Sequence, residues 1–128
     1  WAVFGAACDV LLVGSKVGAL SHEGALHVKA RSVVPTGPVP VTTKALVALE
    51  RAGCNVVPDF LALAGPYLAA FGDVGEGPDE AAAGVSAQVA DAVRGSFGER
   101  GLFLGACARA ESFLASWQPG LPFGRPLA

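Results

Sequence analysis

Apolar residues along this chain follow two rhythms. Short unbroken runs stop at glycine or proline, and between them lie stretches whose apolar positions recur at helical spacing. Residues 8–13, Cys-Asp-Val-Leu-Leu-Val, form the first run and end at Gly14-Ser15. Length, β-branching and the glycine stop predict a strand buried on both faces. Residues 30–34 and 54–57 predict a second and a third strand, closed by Pro35 and by Pro58-Asp59. Residues 21–28 read as a short helix with Ser21 as its N-cap. Residues 41–52 read as a longer one, with Ala45, Leu46, Leu49 and Ala52 on an apolar stripe, Thr42 or Thr43 at its start and Gly53 at its end.

Strands alternating with short helices imply βαβ units and a parallel sheet. The second half of the chain is helical. Residues 60–71 are apolar, but Pro66 forbids one uninterrupted helix. Residues 72–77 are a linker, and residues 78–94 a helix with Ala81, Val85, Val89 and Val93 on one stripe. Residues 102–117 predict a last helix with Phe103, Ala106, Ala110, Phe113 and Trp117 facing inward, and residues 118–128 an irregular tail. The expected class is α/β: a partial Rossmann-like parallel sheet of about three strands with flanking helices and two C-terminal helices. So small a sheet leaves at least one edge bare. The chain therefore reads as half of a sheet, covered by the remainder of a polypeptide or by other subunits of a homo- or hetero-oligomer.

Composition narrows the partners. At 128 residues the chain supports one domain with a modest core. Charged residues are 16% against 52% hydrophobic, below the usual share of about a quarter, so much of the surface is expected to be covered. A net charge of −2 gives no footprint for nucleic acid or an anionic membrane. No apolar run approaches the ~18–20 residues of a membrane helix. Trp1-Ala2-Val3-Phe4 lacks an initiator Met and a basic region, so it reads as a cut edge and not as a signal peptide. Cys8, Cys54 and Cys107 are widely spaced and odd in number, which signals neither disulfides nor a zinc site. They are expected as buried free thiols in a reducing cytoplasm.

Ligands of α/β sheets sit beyond the carboxyl ends of the strands, which directs attention to the loops after each apolar run. Gly14-Ser15-Lys16-Val17-Gly18 lacks the Gly-Lys-Ser/Thr end of a P-loop and the third glycine of a dinucleotide loop, and reads as a plain turn. His22 and His27, five apart, share no helical face and are expected in solvent rather than on a metal. Asp59 is placed to cap the segment that follows it, a role in chemistry being the alternative. Glu50 and Arg51 read as surface residues, Arg109 as an anchor for an interdomain contact, and Tyr67 and Trp117 as aromatics at the core edge.

Five segments in register resemble the amino-acid dehydrogenases of the glutamate, leucine, phenylalanine and valine type. Cys8-Asp9-Val10-Leu11 resembles that family's Cys-Asp-Ile-Leu strand, and Lys29-Ala30-Arg31-Ser32-Val33-Val34 its Lys-Ala-Lys-Ile-Val strand. Residues 40–45 sit where the family has Gly-Pro-Thr-Thr-Pro-Glu-Ala. Val57-Pro58-Asp59-Phe60-Leu61-Ala62 is similar to Ile-Pro-Asp-Phe-Leu-Ala, and Ala106-Cys107-Ala108-Arg109-Ala110 to the closing Ala-Arg helix. The resemblance implies that residues 1–71 are the second half of a dinucleotide-binding domain and residues 72–117 a helical segment packed on it. NAD or NADP is the implied cofactor, and oxidative deamination of an amino acid the implied reaction. Implied cofactor-binding positions are Gly14, Ser15, Thr36, Gly37 and Pro38. Implied substrate-side positions are Leu63, Gly65 and Ala70.

Those positions are also where the chain departs from the family. Its Pro-Ala-Ala, with an Asn shortly after, is replaced by Val13-Gly14-Ser15 and Gly18. Its Glu-Gly-Ala-Asn is replaced by Pro35-Thr36-Gly37-Pro38, its Asn-Ala-Gly-Gly by Leu63-Ala64-Gly65-Pro66, and its substrate serine by Ala70. An Asn side chain donates and accepts together, whereas Gly, Pro and Leu side chains do neither. Leaving one buried ligand group without its hydrogen-bond partner weakens a site by about 1–3 kcal/mol. The family's catalytic Lys and Asp belong to another domain, and no Gly-x-Gly-x-x-Gly turn is present, so no catalytic and no metal residue is assigned. The expected function is the cofactor-domain portion of such a dehydrogenase with catalysis impaired or absent. The alternatives are a non-catalytic structural or regulatory paralogue, or an unrelated α/β ligand-binding domain.

Overall fold

In the computed structural model, residues 2–98 and 100–118 are described. The three predicted strands form as β1 (Val10–Val13), β2 (Ser32–Pro35) and β3 (Asn55–Val56), all parallel, in the order β1-β2-β3. Leu11 lies opposite Val33 and Leu12 opposite Val34, and Val33 is in turn opposite Val56. Two helices make the crossovers, α1 (His22–Ala25) and α2 (Thr43–Arg51). Their starts follow from the caps read in the sequence: Ser21 Oγ accepts from Gly24 N–H at 3.4 Å, and Thr42 Oγ1 from Ala45 N–H at 3.3 Å. Leu20, Ala45, Leu46 and Leu49 pack with Val13, Val33 and Val56 into one core on a single face of the sheet.

The opposite face is open at β1 and half-buried at Val34 of β2. Val10 is 52% and Leu12 64% exposed, which corrects the expectation of a first strand buried on both faces. The cause is topological: both crossover helices belong to the same core, and β1 is an edge strand. Apolar alternation within so short a run carries no record of which face a helix covers. Cys8, just before β1, is exposed for the same reason, whereas Cys54 is buried and Cys107 half-buried, as expected of free thiols. Burial raises the pKa of both the Cys54 and the Cys107 thiol.

Pro66 divides the apolar stretch after β3, as anticipated, into α3 (Asp59–Ala62) and α4 (Gly65–Phe71), with the proline in the first turn of α4. Both short helices rest on α5 (Pro78–Arg94), whose stripe of Ala81, Val85, Val89 and Val93 is half-buried. The last helix, α6 (Gly101–Ala115), docks on β3 through its first turns only. Leu102 and Ala106 are buried and Phe103 packs against the core, but Phe113 and Trp117 are exposed, so the inward face read from periodicity extends for half the helix. Tyr67 is also exposed, and Ala52 lies outside the stripe of α2. His22 and His27 are both exposed, as expected. The expected irregular tail at 119–128 lies outside the described residues.

Glu50 departs from its reading as a surface residue. It is half-buried at the last turn of α2, and its Oε1 is buried without a hydrogen-bond partner. Burial raises its carboxyl pKa above the ordinary value. In the folded state Glu50 therefore holds its proton to higher pH than in the unfolded chain. Folding stability falls as pH rises through that interval, and the penalty is fully present above it. Glu50→Gln removes the charge. Urea midpoints measured from pH 4 to pH 7 are expected to show the variant gaining on the parent as pH rises; parallel curves would contradict this.

Candidate functional site

The carboxyl edge of the sheet is built by loops that lie backbone against backbone. Strand β1 runs into Gly14-Ser15, whose peptide bond is cis. Strand β2 runs into Thr36-Gly37, with Thr36 N–H donating to Val13 C=O at 2.8 Å. A Cβ added at Gly14 would lie 2.1 Å from Thr36 Oγ1, and one at Gly37 would lie 3.1 Å from the backbone of Ser15. Glycine suits both positions: a side chain at 14 would have to displace the Thr36 hydroxyl, and one at 37 would crowd the Ser15 backbone. Further along, Gly18 N–H donates to Val39 C=O at 2.9 Å, Leu20 N–H to Pro40 C=O at 2.8 Å, and Thr42 N–H to Leu20 C=O at 3.1 Å. Leu20 and Val41 form a parallel bridge. The two loops are thus zipped together up to the start of α2.

A third loop is tied to this zipper by one carboxylate. Asp59, at the start of α3, accepts from Phe60 N–H through Oδ1 at 2.9 Å and from Val39 N–H through Oδ2 at 2.8 Å. Val39 has φ of 47°, a left-handed conformation that a β-branched residue rarely adopts and that costs about 1–3 kcal/mol. Its N–H is held by Asp59 and its carbonyl by Gly18, which explains how the strained turn persists. The expected capping role of Asp59 is not the one found: Pro58 is the N-cap of α3 and no side chain caps it, Asp59 is the first helical residue, and one of its oxygens instead fastens a loop twenty residues away. The signal available in the sequence was the Pro58-Asp59 pair at a strand end; its partner Val39 carried none.

Gly14, Ser15, Thr36 and Gly37 are brought together by this packing, with Pro38 exposed beside them. Leu63, Gly65 and Ala70 fall elsewhere: Leu63 ends α3, Gly65 packs near Val85 of α5, and Ala70 is exposed on α4. Among the described residues, no hydrogen bond joins these three to the 14–15 or 36–38 loops. The cavity at this edge is small, about 120 Å³, with walls from Pro35, Val39, Pro40, Val57 and Phe103 and a single acid, Asp59. Its chemistry is that of a mostly apolar notch whose one acidic side chain, Asp59, is already engaged by the N–H groups of Val39 and Phe60. Among the described residues no group of His, Cys, Asp and Glu is placed to hold a metal ion. Arg109 lays its guanidinium over Gly95 at the end of α5 and has no acidic partner among the described residues.

Comparison with known proteins places this geometry. The chain is similar to a solved structure of the hetero-hexameric glutamate dehydrogenase from Thermus thermophilus in its Leu-bound form, with a TM-score of 0.71 and 27% identity. The match covers 92% of this chain and 32% of that one, so the chain spans about a third of the length of its neighbour. No protein-family model and no curated protein matches the sequence. The neighbour is a glutamate dehydrogenase, which agrees with the resemblance carried by the five sequence segments. No helix among the described residues is long and apolar enough to cross a membrane.

The carboxylate tie is open to a direct test. Asp59→Ala is expected to lower stability by about 1–3 kcal/mol, because two N–H groups are left without their acceptor. Amide hydrogen exchange at Val39 should accelerate while exchange at Val33, in the sheet, changes only as far as global stability does. Unchanged protection at Val39 would show that the carboxylate does not hold the loop.

Proposed function

We propose that this chain is the cofactor-domain portion of a protein of the glutamate or related amino-acid dehydrogenase type, with its own catalysis impaired or absent. On this reading residues 1–71 form the second half of a nucleotide-binding unit and residues 72–117 the helical segment against it. Residues 14–15 and 36–38 then make the nicotinamide-side wall of a cleft, and Leu63, Gly65 and Ala70 face the substrate side. Support comes from the likeness to a glutamate dehydrogenase over nearly the whole chain.

The observation that carries the absence of chemistry is the side-chain content of that wall. NAD or NADP, the cofactor the resemblance implies, supplies hydride transfer when bound. The residues present do not fit it as a self-contained site. The loops after β1 and β2 touch, with Gly14 against Thr36 and Gly37 against Ser15, and the cavity beside them holds about 120 Å³. Gly18, Pro38 and Leu63 stand where side-chain amides are expected from the resemblance. What remains is backbone N–H and C=O with the hydroxyls of Ser15 and Thr36, which can orient a ring edge but lack the paired donor and acceptor of an amide side chain. No step of hydride transfer is assigned to these residues.

A second reading shares the same support: a non-catalytic structural or regulatory subunit in a mixed oligomer. It is favoured by the hetero-hexameric assembly of the neighbour and by the exposed apolar positions Val10, Leu12, Phe113 and Trp117. Both readings predict little turnover. The test is an initial-rate assay of the intact protein with NAD and NADP and a panel of glutamate, leucine, phenylalanine and valine. The expected rate lies several powers of ten below the ~1–10³ s⁻¹ usual for enzymes. Pro38→Asn with Leu63→Asn is expected to raise it. Turnover in the ordinary range by the unmodified protein would overturn the proposal.

A further inference from the structure

Helix α2 carries a groove on its outer side, opposite the stripe that Ala45, Leu46 and Leu49 send into the core. It holds about 280 Å³ and is lined by Thr43, Lys44, Val47 and Arg51, with His22 of α1 beside them. Lys44, Val47 and Arg51 fall at i, i+3 and i+7, so one helix face presents cation, apolar side chain and cation in a row. No Asp or Glu lines this groove, although the chain as a whole carries a net charge of −2. Among the described residues Lys44 and Arg51 form no ion pair, those present being Arg31 with Asp9 and Arg94 with Asp91. Glu23 feels the charges of His22 and Lys44, but its carboxylate is taken by the Ser21 hydroxyl at 2.7 Å. Glu50, next to Arg51 in sequence, lines a different cavity with its Oε1 buried. The motif that residues 40–45 resemble has Glu before its Ala; here Lys44 stands before Ala45, so this charge is the chain's own.

We propose that this groove docks an acidic segment of a partner protein in extended conformation. From Lys44 to Arg51 the helix rises about 10 Å, seven residues at about 1.5 Å each. An extended strand covers about the same distance in three residues. Carboxylates at positions i and i+3 of the segment therefore meet Lys44 and Arg51 together. An apolar side chain between them lies on Val47 and on the aliphatic stems of the two cations. Acids side by side, or a single small anion, leave one cation unmatched. Thr43 adds a hydroxyl that can donate to the segment. Exposed ion pairs are individually weak and screened by salt, so the docking is transient and salt-dependent. None of Gly14, Ser15, Thr36 or Gly37 lines this groove, and the proposal does not rest on the dehydrogenase reading.

The test is a titration of the whole chain with the end-blocked peptide Gly-Glu-Leu-Gly-Glu-Gly at low salt, followed by backbone amide shifts. Saturable shifts are expected at Lys44, Val47 and Arg51. They should shrink when salt is raised to about 0.3 M, where the screening length is shorter than the span between the two cations. A peptide with Gln in place of both Glu, and one with the two Glu adjacent, are each expected to bind about threefold more weakly or worse. Lys44→Gln and Arg51→Gln, at exposed positions outside the core, are each expected to weaken the first peptide by about two- to fivefold. Reversing both charges, Lys44→Glu with Arg51→Glu, is expected to abolish the shifts. The proposal is overturned if no shifts appear at α2, if they fall on the loops of Gly14 and Gly37, or if either control peptide binds as well as the first. Undiminished binding by both single variants would overturn it as well.

Discussion

Direct backbone contact between the loop after β1 and the loop after β2 is the constraint on which this architecture turns. Gly14 and Gly37 let the chains approach to a distance that side chains there would crowd, and hydrogen bonds at Gly18, Leu20 and Thr42 carry the contact to the threshold of α2. Leu20 is thereby delivered into the core with no exposed surface, and Thr42 into its capping position over Ala45. Beside this contact lies the cavity of about 120 Å³ that Asp59 and its apolar neighbours line. One arrangement thus stabilises the fold and limits the chemistry open to its carboxyl edge. Asp59 extends the effect to the third loop by holding Val39 in a conformation that its side chain disfavours.

The second organising fact is that the sheet is buried on one side. Val33 and Val56 are closed off beneath α1 and α2, while Val10 and Leu12 present methyl groups to solvent from an edge strand. Isolated edge strands with apolar faces invite pairing, and natural proteins cover or charge them. The low charged content of the sequence agrees with a surface of which part is made to be covered. The match to the dehydrogenase neighbour covers about a third of that longer chain.

The elements were legible where local chemistry decides them. Short apolar runs ended by glycine or proline marked the strands, Ser21 and Thr42 announced their helices, and Pro66 split the stretch after β3 as its missing N–H requires. Facing was less legible, because it depends on what lies across space. Phe113 and Trp117 continue the helical spacing of Phe103 and Ala106, yet both stay exposed. Glu50 looked like a surface acid because it lies beside Arg51 at the end of its helix; its burial, beside a cavity that the start of α6 also lines, left no local pattern. The approach of Gly14 to Thr36 left no pattern to read, since glycine in a loop is commonplace and the partner sits on another loop.

The account is tested most directly by an equilibrium titration of the protein with NADH, followed by the fluorescence of the reduced nicotinamide ring. Loops closed on one another and bare of amide side chains predict no saturable enhancement up to about 1 mM, the upper end of ordinary enzyme affinities. Saturable enhancement with a micromolar Kd would contradict it, for the ring would then have found a site without the amide side chains missing at Gly18, Pro38 and Leu63.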